Sequence, residues 1–207
     1  MKFINMMFKS LFLLLMFALL GSQVAIAGKE DSAMSLVKET TNKIMATLRE
    51  KKKAIDADPD LVTELVDKIV LPHFDFAKMS QWTLGKYWDK ASADQQKRFI
   101  DEFKLLLIRT YSKALADNTD KEVVFKSAKI SKKHDDEAIV ETEVPQSGGF
   151  PIPIVYRMHS DGKAWKVFDV NIDGISLVSN YRSSFSREVR KSGIDKLIES
   201  MKTRNKK

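Results

Sequence analysis

His73, His134 and His159 are the side chains best suited to proton transfer or metal binding near neutral pH. None has a partner at metal-ligand spacing, and His134 and His159 fall in or near polar turns. No Gly-x-Ser-x-Gly elbow, glycine-rich phosphate loop or His-Glu-x-x-His occurs in the chain. A Ser, His and Asp triad assembled from distant segments would leave no local trace, and nothing here points to one. With no Cys in 207 residues, disulfides and thiol chemistry are both ruled out.

The carboxylates say a little more. Asp75, in Phe74-Asp75-Phe76, reads either as a buried acid or as the cap of the short helix that follows, and cap preference favours the second. Asp169 and Asp173 flank the end of a strand. Paired carboxylates can do acid–base work, but strand-end solvation and capping of the next helix ask less of them. What the chain has in quantity is large rings: Trp82, Tyr87, Trp88, Phe99, Phe103, Tyr111, Tyr156, Trp165, Phe168, Tyr181 and Phe185. Periodicity places them in a core and leaves open whether that core is solid or hollow.

The elements that must position these residues begin after a leader. Lys2 and Lys9 precede an unbroken apolar run from Leu11 to Leu20, and Ala25-Ile26-Ala27 supplies small residues at a cleavage site. The run is shorter than the roughly 20 residues of a membrane span. Residues 1–27 therefore read as a secretory signal and 28–207 as one exported domain. That remainder has 33 basic against 28 acidic residues, a mild positive excess that suits anionic surfaces or acidic partners. Basic and acidic residues are interleaved, which is not the pattern of a nucleic-acid binder.

Residues 28–117 read as helical. Leu36, Val37, Ile44 and Leu48 repeat at helical spacing. Asp58-Pro59 predicts the start of a second helix, carrying Leu61, Val62, Leu65, Val66 and Ile69 and stopped by Pro72. Ser92-Ala93-Asp94-Gln95 is a capping box opening the longest helix, Ala93 to Asp117, which is apolar on two sides. The period then changes to two: Glu122 to Ser131, Glu137 to Gln146, Ile152 to Ser160 and Ala164 to Ile172 read as strands, with a tight turn at Asp161-Gly162. Residues 174–202 return to helix, broken at Gly193. Helices, then an antiparallel sheet at 122–172, then helices make an α+β fold with helices packed on one sheet face.

Several stretches, taken together and in order, resemble one family. They include Leu71-Pro72-His73-Phe74-Asp75-Phe76, Leu84-Gly85-Lys86-Tyr87-Trp88, and Gly149-Phe150-Pro151-Ile152 with Tyr156-Arg157. Trp165-Lys166-Val167-Phe168-Asp169-Val170, Gly174-Ile175-Ser176-Leu177-Val178, Asn180-Tyr181-Arg182 and Gly193-Ile194-Asp195 complete the set. The chain resembles the MlaC family, also called toluene-tolerance proteins; Asp173 stands where that family's pattern has Glu. The resemblance implies a curved antiparallel sheet of four or slightly more strands, closed by helices over an apolar cavity, similar to nuclear transport factor 2. It implies a periplasmic carrier without catalytic residues, metal or cofactor, whose cargo is a phospholipid. Its partners would be an outer-membrane lipoprotein–porin complex and an inner-membrane ABC transporter complex with its substrate-binding ring.

On that reading the apolar slot lies between sheet and helices. Its expected lining is Val140, Ile154, Tyr156, Phe168, Val170 and Ile172 from the sheet, with Phe103, Leu107, Tyr111, Leu177, Tyr181 and Phe185 from helices. Arg157 and Arg182 are the candidates to meet the headgroup phosphate at the mouth. The competing class is a solid-core periplasmic assembly or interaction factor. A small hydrolase would need a nucleophile that no motif supplies.

Overall fold

The computed structural model describes residues 28–146 and 148–206. The expected leader lies outside the described residues. Helix α1 spans 28–50 and is followed by α2 (Lys52–Ala57) and α3 (Leu61–Ile69). A short 3-10 turn at Leu71–His73 leads to α4 (Phe76–Leu84), and a second at Gly85–Tyr87 precedes the long α5 (Ala93–Asp117). Strands β1 (Val124–Ile130), β2 (Glu137–Val144), β3 (Ile152–Ser160), β4 (Trp165–Ile172) and β5 (Ile175–Ser176) form one antiparallel sheet in sequence order. Helices α6 (Leu177–Ser192) and α7 (Ile194–Asn205) close the chain.

The local signals explain most boundaries. The Ser92 hydroxyl accepts from the Gln95 amide and the Gln95 side chain accepts from the Ser92 amide, so two orphan donors at the start of α5 are satisfied reciprocally. Gly193, at φ 83°, separates α6 from α7 in a conformation that costs a side-chain-bearing residue strain. The start of α3 differs from expectation. Asp58 ends α2, and its carboxylate accepts from the Asp60 amide at 3.1 Å. The Asp58-Pro59 signal is thus used in an Asx turn, and α3 begins two residues beyond Pro59.

Apolar side chains gather in two clusters. The larger joins the inner sheet face to α4, α5, α6 and α7, with Phe99, Phe103 and Phe185 in ring contact at 5.6–5.8 Å. The smaller holds Ile44, Met45 and Leu48 of α1 against Val62, Leu65 and Val66 of α3. Helix α1 belongs to both, since Ala33 and Val37 pack with the sheet cluster. Its ends are tied by polar contacts: Lys29 pairs with Asp135 at 2.8 Å, the Trp165 indole donates to Ser32, and Arg49 donates to the Thr119 carbonyl.

Candidate functional site

Between the two clusters the interior is not filled. A cavity of about 420 Å³ opens there, a volume in the range of small-molecule sites. Its floor is the inner sheet face, with Ile154 and Tyr156 of β3 and Val167, Val170 and Ile172 of β4. Helix α1 forms one wall through Leu36, Val37, Thr40, Thr41, Ile44 and Met45. Helix α5 forms another through Leu107, Ile108, Tyr111, Ser112 and Leu115. Phe74, Phe76 and Met79 close the far side. Among the lining residues only Ala114 and Gln146 are exposed, which puts the mouth between the last turns of α5 and the β2–β3 connection. Asn118 and Lys121 line the same end, with Lys121 paired to Asp120 at 3.5 Å.

Seven of the twelve expected lining residues stand on the cavity wall: Leu107, Tyr111, Ile154, Tyr156, Val170, Ile172 and Leu177. Five do not. Phe103, Tyr181 and Phe185 pack on one another at 5.3–5.8 Å where α5 meets α6, so the α5 stripe with Phe103 and the α6 stripe with Tyr181 and Phe185 face each other rather than the cavity. Val140 is fully buried within the main core and does not reach the free volume. Phe168 is turned away from the cavity. Between β3 and β4 the register runs Arg157 to Asp169 and Met158 to Val167, which leaves Phe168 as the extra residue of a bulge. Its ring joins the Arg157 and His159 side of the strand, with the Arg157 guanidinium 4.9 Å from its centroid and Trp82 at 5.3 Å.

Neither of the two arginines lines the cavity. Arg157 lies on the outer side, stacked over Trp82 and Phe168. Arg182 folds over Gly85, whose absent Cβ leaves it room: a Cβ there would meet the guanidinium at 2.9 Å. The cation that lines the cavity near its mouth is Lys121. Sequence reasoning also missed the α1 wall, although Leu36, Val37 and Ile44 repeat at the spacing that would have pointed to it.

The candidate chemical groups have structural partners. The Asp75 carboxylate accepts from the Lys78 amide at 2.8 Å, capping α4, and its other oxygen meets His159 Nε2 at 2.8 Å. Asp169, buried, accepts from the Ser176 hydroxyl and the Val178 amide, holding the start of α6. His73 lines the cavity, and burial, then Lys166 and Lys43, hold its imidazole below the usual pKa. Burial pushes the Tyr156 phenol up, against hydrogen bonds to Thr142 and Thr41 that act in the other direction. Among the described residues no group of His, Asp and Glu is clustered so as to hold a metal ion.

Residues 38–203 match the family model described as MlaC protein. The chain belongs to the MlaC family. Every cavity-lining residue except Leu36 and Val37 falls inside the matched span. Among MlaC relatives, the chain is 25% identical over 186 residues to the intermembrane phospholipid transport system binding protein MlaC of Haemophilus influenzae, covering 89% of this chain and 86% of the relative. It is 28% identical over 167 residues to the toluene tolerance protein ttg2D of Pseudomonas putida, covering 79% and 77%. The fold is similar to that of a phospholipid-binding protein from Ralstonia solanacearum solved in complex with a phospholipid, with a TM-score of 0.76 and 31% identity. That likeness covers 84% of this chain and 97% of the other.

Proposed function

We propose that this MlaC-family protein takes the acyl chains of a phospholipid into the cavity between α1, α5 and the sheet. It would carry them across the periplasm between an outer-membrane lipoprotein–porin complex and an inner-membrane ABC transporter complex with its substrate-binding ring. The observation that carries this reading is the apolar cavity itself, walled by aliphatic and aromatic side chains and rimmed by Asn118, Lys121 and Gln146. Each methylene removed from water contributes about 0.8 kcal/mol, so tails cannot cross an aqueous space uncovered. Cavity and bilayer cover the same tails, which makes exchange between them nearly neutral in free energy. Direction must then come from the partners or from ATP hydrolysis. Asp75 and Asp169 both hold helix starts, which supports a carrier without covalent steps.

Two measurements on protein from a periplasmic fraction test the reading. Intact mass should place the mature N-terminus at Gly28, and solvent extraction with mass spectrometry should release a diacyl phospholipid in amount comparable to the protein. Repeated preparations free of lipid would favour an assembly or interaction factor instead.

A further inference from the structure

Exposed apolar side chains are ordinary when scattered, and Leu105 on α5 and Ile139 on β2 are of that kind. Among the described residues, the other three large ones share a single place. Val124 is 40% exposed at the start of β1, Ile175 is 60% exposed at the start of β5, and Phe150 is 95% exposed between β2 and β3. The register puts all three at one end of the sheet, because Val124 pairs with Glu143, Val144 with Ile152, and Ile172 with both Ile154 and Ile175. This is the end at which the cavity opens. Gly149, beside Phe150, lies against Gln146 at the mouth, 3.6 Å from its Cβ when measured from the position a Cβ would take.

We propose that this end of the sheet, led by Phe150 with Val124 and Ile175, is a docking surface for a phospholipid bilayer. The proposal rests on the carrier reading, since it supplies the route by which acyl chains enter the cavity without crossing water. The three side chains span β1 to β5, about 19 Å at ordinary strand spacing. Points so widely set suit a broad planar medium better than a groove on a protein partner. Residues 145–151 carry no charge in a chain that is 30% charged, so no carboxylate or ammonium of the loop itself opposes insertion of Phe150, while Glu122 and Asp173 flank Val124 and Ile175. Phe150 offers a large, 95% exposed apolar ring of the kind that settles in membrane interfaces.

The absence of Cys allows a single label. Phe150→Cys carrying an environment-sensitive fluorophore would be mixed with vesicles of three parts zwitterionic to one part anionic phospholipid. Its emission should shift to the blue and be quenched by spin labels in the acyl region. In flotation with the same vesicles, Phe150→Asp and Ile175→Asp should each lower the bound fraction at least about tenfold, the scale set by burying one such side chain. Leu105→Asp, also exposed but away from this end, should bind as wild type. Thermal melts would verify that the exposed substitutions leave the fold intact. A fluorophore that stays in water, a wild type that does not float, or a Phe150→Asp variant that floats like wild type would each overturn the docking surface. If Phe150→Asp floats normally yet loses capture by a purified membrane-complex subunit, the same end binds protein and the bilayer proposal fails. Lipid content of the purified protein is read separately: its absence would refute the carrier reading, and its presence with unchanged flotation would refute docking alone.

Discussion

Phe168 and Val170, two residues apart on β4, face opposite ways: Val170 lines the cavity and Phe168 stacks beneath Arg157 and beside Trp82. Simple alternation would put them together. The bulge opposite Arg157 and Met158 inserts one residue and resets the phase, so Val167 and Val170 both face inward. The consequence is a division of labour along four residues of strand, Val167 to Val170. Inward-facing residues bound the free volume, while Phe168 is held between the Lys78 ammonium and the Arg157 guanidinium, each 4.9 Å from its centroid.

Val170→Trp tests the cavity side. The indole has free volume to enter, so the ligand-free protein should melt within a few degrees of wild type. In a filled core the same overpacking would cost about 1–3 kcal/mol. Bound phospholipid per chain, measured by mass spectrometry, should fall at least about fivefold, because the indole takes space that acyl methylenes would otherwise occupy. A strongly destabilised variant would mean the site is packed solid.

Phe168→Ala tests the other side. The ring is 1% exposed, so its removal should cost about 3–5 kcal/mol in chemical denaturation. Lipid occupancy at a temperature where the variant remains folded should match wild type. Occupancy that drops in step with Val170→Trp would place Phe168 at the cavity after all.

His73 predicts a pH dependence. Its folded pKa lies below the ordinary 6.5, first through burial and then through Lys166 and Lys43. As pH falls below 6.5 the unfolded chain takes up the proton before the folded one does, so folding loses stability until pH passes the folded value. The stability difference between wild type and His73→Gln, followed by denaturation from about pH 7.5 to 5, should therefore move against wild type as the medium acidifies. A constant difference across that window would show that the histidine is not buried against the proton.

Ser92→Ala removes the hydroxyl half of the capping box. The loss should be about 1 kcal/mol, typical of an N-cap serine, with lipid occupancy unchanged because the box lies outside the cavity. Gln95→Ala should cost a comparable amount, as its side chain also donates to Asp195 of α7 at 2.8 Å. A loss below about 0.3 kcal/mol for both would indicate that α5 is held by packing alone.

The sequence alone determined the elements. The four long strands lie within two residues of the period-two segments, the capping box of α5 forms as written, and Asp75 caps α4 as its preference implied. These features depend on neighbours a few residues away, and side-chain period and backbone capping are local physics. Tertiary structure decided the site. The bulge at Phe168 is a mismatch between two strands, so no count along one of them reveals it. Arg182 found its place over Gly85, ninety-seven positions away in the chain, because a missing Cβ left room there. The cavity lies between two clusters that α1 bridges, its Ala33 and Val37 packed with the sheet cluster and its Ile44, Met45 and Leu48 with α3, while the residues between them line free volume. Apolar side chains read the same in sequence whether they meet another side chain or an empty volume, and only the distance between the elements that carry them separates a solid core from a hollow one.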